Sequence, residues 1–527
     1  MSSPPGALRR RIFLRGAGAA ALAFATGASA ACTSAVHELD AAGDDATPVR
    51  GGTLKVGTPW DIVPANILTN TATTPAVIGL VYESLIRYPN DRLEPQPLLA
   101  KSWNLAPDGL SLALELRDDV TFHSGRPFTS ADVEFALRTY ADPKWSAQLK
   151  STAAAITEYD TSAPHRIALK FAHPLGNIFD LLDTAPMLDR ETIGQLATGD
   201  AFVGTGPFRF VDRIPNSRLV FERNEHYWVP ERPYLDRVQL SIIPDSQAQL
   251  NALRSGQVGL AHGLNPRDIE NLAARPGFKS ITYDGAELQM YVGVNVRNPA
   301  LADVRLRQAI AYALDRERII EEVFRGAGYP LNVPWPRNSP AYDEARNTRY
   351  ARDLGKAREL VAQVGKPPQI PLSYNTSTPS HGATAQIVQA NLADAGIDVT
   401  LDPNDDGTAV KKLIGGQYPG LWVTDHSWAQ FVPSTLTVSA YPFNAHKNAS
   451  HYESAAYVAA ADAAWRRSGG TDGAAVSAYR AVSDQLLDGL FLIEIGVRFN
   501  QAAASKRLHG VSWTKRRETV LTEAFLS

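Results

Sequence analysis

Asp425 lies in the stretch Gly420-Leu421-Trp422-Val423-Thr424-Asp425-His426-Ser427-Trp428-Ala429-Gln430-Phe431-Val432-Pro433, a carboxylate flanked by two indoles. Such a group suits a cation, because a charge-assisted bond strengthens once water is excluded. The plainer alternatives are a loop cap or surface acid for Asp425, and core packing for Trp422 and Trp428. Three histidines, His426, His446 and His451, fall in the same region. Their spacing matches no closed metal site, and scattered loop histidines are the default. Catalytic signatures are missing: the chain has no G-x-S-x-G, no H-E-x-x-H and no G-x-x-x-x-G-K-[ST]. Ser512-Trp513-Thr514-Lys515 matches S-x-x-K once, without the S-D-N or K-T-G that would accompany it. These residues predict binding without catalysis, metal or cofactor.

The N-terminus determines where that binding takes place. Arg9, Arg10, Arg11 and Arg15 precede an apolar run of small residues from Gly16 to Ala31, and then comes Cys32. That order is a secretory leader, and the run is too short to span a bilayer. Arg10-Arg11-Ile12-Phe13-Leu14-Arg15 resembles the twin-arginine export signal. Ser29-Ala30-Ala31-Cys32 resembles the lipobox of bacterial lipoproteins, except that Ser29 stands where an aliphatic residue is preferred. The alternative is cleavage after Ala30 at an A-x-A site. Lipidation at Cys32 is the favoured reading, since the chain has no other cysteine and hence no intramolecular disulfide. The expected location is extracytoplasmic, anchored to the cell membrane by lipid.

A chain of 527 residues exceeds what one hydrophobic core supports, so two or more lobes are expected. Hydrophobic content of 44% with 20% charged residues is that of a globular protein. Loss of the four leader arginines takes the formal charge from −3 to about −7, which argues against nucleic acid as a partner. The late basic cluster Lys515-Arg516-Arg517, followed by Glu518, reads as a solvated face.

Residues 33–50 read as a tether. Gly51 to Val56 reads as a strand, and Ala76 to Leu85 as a helix. Leu110, Leu112, Leu114 and Leu116 share one side of a half-buried strand. Thr129 caps a helix, and so does Asp245 before Ser246–Arg254, with Gly256 just past its end. Helices are expected near 303–314, 316–324, 353–364, 382–395, 454–466 and 474–487. Strands are expected near 166–171, 208–211, 219–222, 238–243, 290–294, 372–374, 398–401 and 491–495. Mixed elements with no internal repeat predict a multi-lobe α/β protein.

Several motifs occur together in order. Val81-Tyr82-Glu83-Ser84-Leu85, Leu93-Glu94-Pro95, Leu99-Ala100-Lys101-Ser102-Trp103 and Pro107-Asp108-Gly109 precede the run from Leu116 to Thr129, which contains Phe122-His123-Ser124-Gly125. Gly204-Thr205-Gly206-Pro207-Phe208, Asn224-Glu225-His226-Tyr227-Trp228 and Val304 to Arg316 follow. This sequence resembles the extracellular solute-binding proteins, family 5, that serve peptide, nickel and related ABC importers, over about residues 51–500. His123, Trp103 and Trp228 within these motifs read as turn and packing residues rather than chemistry.

The resemblance implies a bilobal periplasmic-binding-protein fold with an extra inserted domain and a two-segment hinge. The first lobe would comprise 51–90, 205–285 and 491–527, the inserted domain 91–204, and the second lobe 286–490. It implies capture of a short peptide or peptide-like solute by lobe closure, delivery to ABC permease subunits with their ATPase, and a monomer. It also implies that Asp425 meets the peptide's α-ammonium group, beside Trp422. The family's second acidic residue before the proline is missing, which points to a more apolar or aromatic ligand. Trp60 sits where relatives present a ligand-contacting loop, and Tyr291 lies on a strand near the crossover; each is equally readable as core. The ligand-binding set is thus Trp60, Tyr291, Trp422, Asp425 and Trp428. The alternatives are a sensory or scaffolding lipoprotein of the same fold, and a binder of a metal complex such as a nickel chelate.

Overall fold

A computed structural model describes residues 46–69, 74–145, 147–365, 367–467 and 470–527. The leader, Cys32 and most of the 33–50 stretch lie outside the described residues.

Helices begin where a side chain satisfies their first free N–H groups. Asp245, Asp303 and Asp315 each accept from a backbone N–H of the helix they precede, Ser246–Arg254, Val304–Ala313 and Arg316–Phe324. Thr129 and Asp132 form a reciprocal capping box at Ser130–Ala141. The helix expected at 76–85 runs Thr74–Val81 instead. Beyond it the chain turns away, and Leu85 N donates to Leu182 O. The strand Ser111–Leu116 buries Leu112, Leu114 and Leu116, while Leu110 is 40% exposed because it precedes the strand.

The fold is mixed α/β and bilobal, built on an eleven-stranded sheet. Its order is Val399–Asn404, Ile370–Asn375, Leu421–His426, Phe278–Val294, Leu492–Ser505, Leu260–His262, Thr53–Thr58, Arg237–Ile242, Arg218–Arg223 and Phe208–Ile214, with Gly328–Pro330 added on Leu492–Ser505. The two long central strands run through both halves. Phe278 to Tyr283 pairs with Asn500 to Ser505, and Leu288 to Gly293 pairs with Leu492 to Arg498. The register breaks between Tyr283 and Leu288, where Gly285 takes φ +74° and a Cβ would strike the Asn90 carbonyl. The chain therefore passes twice between the halves at one level.

A separate four-stranded antiparallel sheet, ordered Ala100–Leu105, Ser111–Leu116, Arg166–Phe171, Ile156–Ala163, stands beside this body. The helix Ile178–Thr184 joins it to the second half. There Asp180 accepts from Val432 N at 3.1 Å, Thr435 Oγ1 at 2.6 Å and Tyr88 OH at 3.2 Å. Burial pushes the Asp180 carboxyl up to about 7, against the three donated bonds. Between the ordinary carboxylate range and about 7 the folded protein therefore holds this proton more firmly than the unfolded chain does. Its contribution to stability declines as pH rises through that window. Asp180→Asn is expected to remove the decline. Melting temperatures of the two proteins at pH 5 and 7.5 check this, and a pH-independent difference between them would contradict it.

Candidate functional site

A cavity of about 260 Å³ opens at the level where the central strands cross. Thr58 and His262 end two parallel strands there, the usual place for a ligand in an α/β sheet. The first half also contributes Trp60, Gly263, Tyr283, Asn500 and Gln501; the second half contributes Leu288, Asp425 and Arg498. Arg517 and Thr519 come from the C-terminal hairpin. Two larger hollows, of about 490 and 540 Å³, are each bounded by one half of the main sheet only. The smaller one is the candidate because both halves wall it.

Trp60 is 49% exposed, with its ring against Gly263. Tyr283 stacks on Trp513 at 4.8 Å and lies with Thr519 beside His262. Burial lowers the His262 imidazole to about 4, which leaves it neutral at physiological pH.

Asp425 already has a cation within the chain. Arg498 donates to its Oδ2 from Nε at 3.2 Å and Nη2 at 2.7 Å, and His381 Nε2 lies 3.4 Å from the same oxygen. Burial pushes the Asp425 carboxyl up, but Arg498 and His381 outweigh it and hold the group well below the usual range. The expectation of an ammonium partner thus meets a charge that is already matched.

Trp422 and Tyr291 are fully buried in the second lobe, not on the cleft wall. Trp422 stacks on Tyr418 at 4.9 Å and sits over Gly293, its partner in the ladder. Tyr291 packs edge-on to Phe443. The reason is strand parity. Leu421–His426 is a strand, and residues three apart on a strand face opposite sides, so Trp422 points into the core while Asp425 faces the cavity. Trp428 is half-buried against Phe431 and does not line the cavity.

The three histidines are dispersed. His426 is buried 3.5 Å from Glu494, His446 is 3.3 Å from Asp462, and His451 meets Gly416 O. Among the described residues no group of three or more metal-ligating side chains comes together. His123 bonds Gly206 O at 2.9 Å, and Trp228 donates to buried Glu83.

The solvated reading of Lys515-Arg516-Arg517 is overturned: Lys515 and Arg516 are 4% and 5% exposed. These residues form the turn of the hairpin Ser512–Trp513/Thr519–Val520. Lys515 Nζ donates to Asn90 O at 2.7 Å. Arg516 meets Glu518 through two bonds, at 3.0 and 2.7 Å, and also contacts Asp183. Arg517 takes φ +65°, an uncommon conformation for a residue with a side chain. Its Nη1 is buried and has no hydrogen-bond partner among the described residues. Arg498 did not stand out in the sequence, and Arg517 did so only within the basic run that reads as a solvated face.

Two lobes around a shared double crossover, with a cavity between them, define a bilobal solute-binding protein. The description "Bacterial extracellular solute-binding proteins, family 5 Middle" matches residues 94–448, and the chain belongs to that family. It is 28% identical over 421 residues to the probable di/tripeptide-binding protein 5 of Pseudomonas aeruginosa, covering 73% of this chain and 78% of that protein. It is also 28% identical over 372 residues to heme-binding protein A of Haemophilus influenzae, covering 64% and 67%. Among solved structures, the oligopeptide-binding protein AppA of Bacillus subtilis in complex with a nonapeptide shares the fold, with TM-score 0.76, 22% identity and coverage of 91% and 100%. AgaA of A. tumefacien R10 with agropinic acid gives TM-score 0.77, 23% identity and coverage of 90% and 99%. Among the described residues no helix is long and apolar enough to cross a membrane.

Proposed function

We propose that this protein is the extracytoplasmic receptor of an ABC importer, closing its lobes over a short peptide or peptide-like solute and releasing it unaltered to the permease. The observation that carries this is the cavity walled from both halves exactly where the chain crosses twice, since a solute touching both walls favours the closed form by its extra contacts. The peptide class rests on the di/tripeptide-binding relative. In this reading the first lobe holds 51–90 and 205–285, the inserted domain 91–204, and the second lobe begins at 286. We set the last boundary at 498–500 rather than 491, because Leu492 to Arg498 pairs with the second-lobe half of the neighbouring strand. Cys32 carries the lipid anchor, and the protein acts as a monomer without enzymatic turnover.

Native mass spectrometry of the purified protein is expected to show a co-purified small molecule that denaturation releases with its mass unchanged. Adding that molecule back should reduce the radius of gyration in solution scattering. Chemical conversion of the molecule, or scattering that stays constant, would count against the receptor reading.

A further inference from the structure

The charge in the cleft is not balanced. Arg498 and Arg517 line the cavity with a single carboxylate, Asp425, and His262 is neutral, so the lining carries one positive charge in excess. Arg498 takes the direct bonds that Asp425 offers, whereas Arg517 feels Asp425 and Glu518 only from farther off and forms no ion pair among the described residues. Its neighbours in the turn have protein partners: Lys515 has the Asn90 carbonyl, and Arg516 has Asp183 and Glu518. Arg517 has a buried Nη1 without an acceptor, on a left-handed backbone. Arg517 is only half-buried, but a guanidinium nitrogen removed from water without an acceptor costs stability, and so does a left-handed arginine. Two such costs at one cavity-lining residue mark a position maintained for something other than stability.

What would satisfy Arg517 is an acceptor that enters with the solute. Its planar fork matches a carboxylate through two parallel bonds, and the half-exposed ring of Trp60 with Tyr283 and Leu288 offers an apolar wall beside it. We propose that the cleft selects solutes bearing a carboxylate, which Arg517 binds directly, while Asp425 holds Arg498 in place instead of receiving an ammonium group. This rests on the receptor reading and names the chemical class of its solute. The carboxylate has two possible sources, a peptide C-terminus or a free organic acid.

The test is a binding panel of matched pairs: di- and tripeptides with free or amidated C-termini, and aromatic and aliphatic monocarboxylic acids with their amides. Binding is read by thermal shift and then calorimetry. The expected result is that the free acids of at least one source bind about tenfold or more tightly than their amides. Arg517→Gln is expected to abolish that difference, and Arg517→Lys to retain part of it. Arg517→Gln should also leave the melting temperature of the unliganded protein unchanged or raised, which a purely structural arginine would not do. Amides that bind as well as acids, or acid binding unchanged in Arg517→Gln, would overturn the assignment and leave solute capture standing. No binding by any member of the panel would overturn both.

Discussion

Replacing Arg516 with methionine is expected to destabilise the protein by about 3–5 kcal/mol, the usual cost of removing one member of a buried charge cluster. The side chain is 6% exposed and lies between Asp183 and Glu518, at 3% and 7%. Without it, two buried carboxylates face each other with only the weaker influence of Arg87 and Lys515 to oppose the Asp183 charge. Asp183 lies 333 residues away in the chain, so the loss also frees the C-terminal turn from the helix that holds it. Burial already raises the Asp183 carboxyl, and Arg516 is the first of the groups that oppose it. In the variant the Asp183 carboxyl is expected to retain its proton to higher pH in the folded state. The deficit should therefore shrink as pH falls from 7 to 5. Urea unfolding at both pH values measures this, with Arg516→Met/Asp183→Asn/Glu518→Gln expected to recover a large part of the loss. A deficit below about 1 kcal/mol at pH 7 would show that the cluster is not a significant support.

Asp425→Ala is the second large effect, and it separates two views of the cleft. Its side chain and that of Arg498 are each about one-fifth exposed, at 20% and 21%, so the expected loss is smaller, about 2 kcal/mol. Arg498 and His381 would lose their shared acceptor, and the cleft would gain a second unmatched positive charge. Affinity for amine-bearing solutes is expected to change less than about threefold, because no ammonium bond is lost. Calorimetry against matched free and acetylated amines decides it: a selective drop for the free amines would return Asp425 to the role of ammonium partner.

Much of the architecture was legible from local signals. Asp245 and Thr129 announce helix starts because the cap bond is made within three or four residues, and the structure makes both of them. Leu112, Leu114 and Leu116 announce a half-buried strand because the period is local too. The ordered motifs from Val81 to Arg316 sufficed to place the chain in its family, and the family match at 94–448 agrees.

The site was less legible. Trp422 and Asp425 look like neighbours in one pocket until the segment is known to be a strand, whose alternation sends one inward and the other to the cleft. Tyr291 was ambiguous for a related reason: position near the crossover does not say which sheet face it occupies.

What the amino-acid order determined by itself is the set of properties that depend on near neighbours: the caps, the strand and helix periods and the family's motifs. What only the tertiary structure decided is the fate of adjacent like residues. Lys515, Arg516 and Arg517 are consecutive and all basic, yet the first meets a carbonyl 425 residues away and the second a carboxylate 333 residues away. Among the described residues the third meets no acceptor at its buried Nη1. A buried charge is governed by what lies within a few ångströms of it, and in a chain that crosses twice between its lobes those neighbours come from the far ends of the sequence.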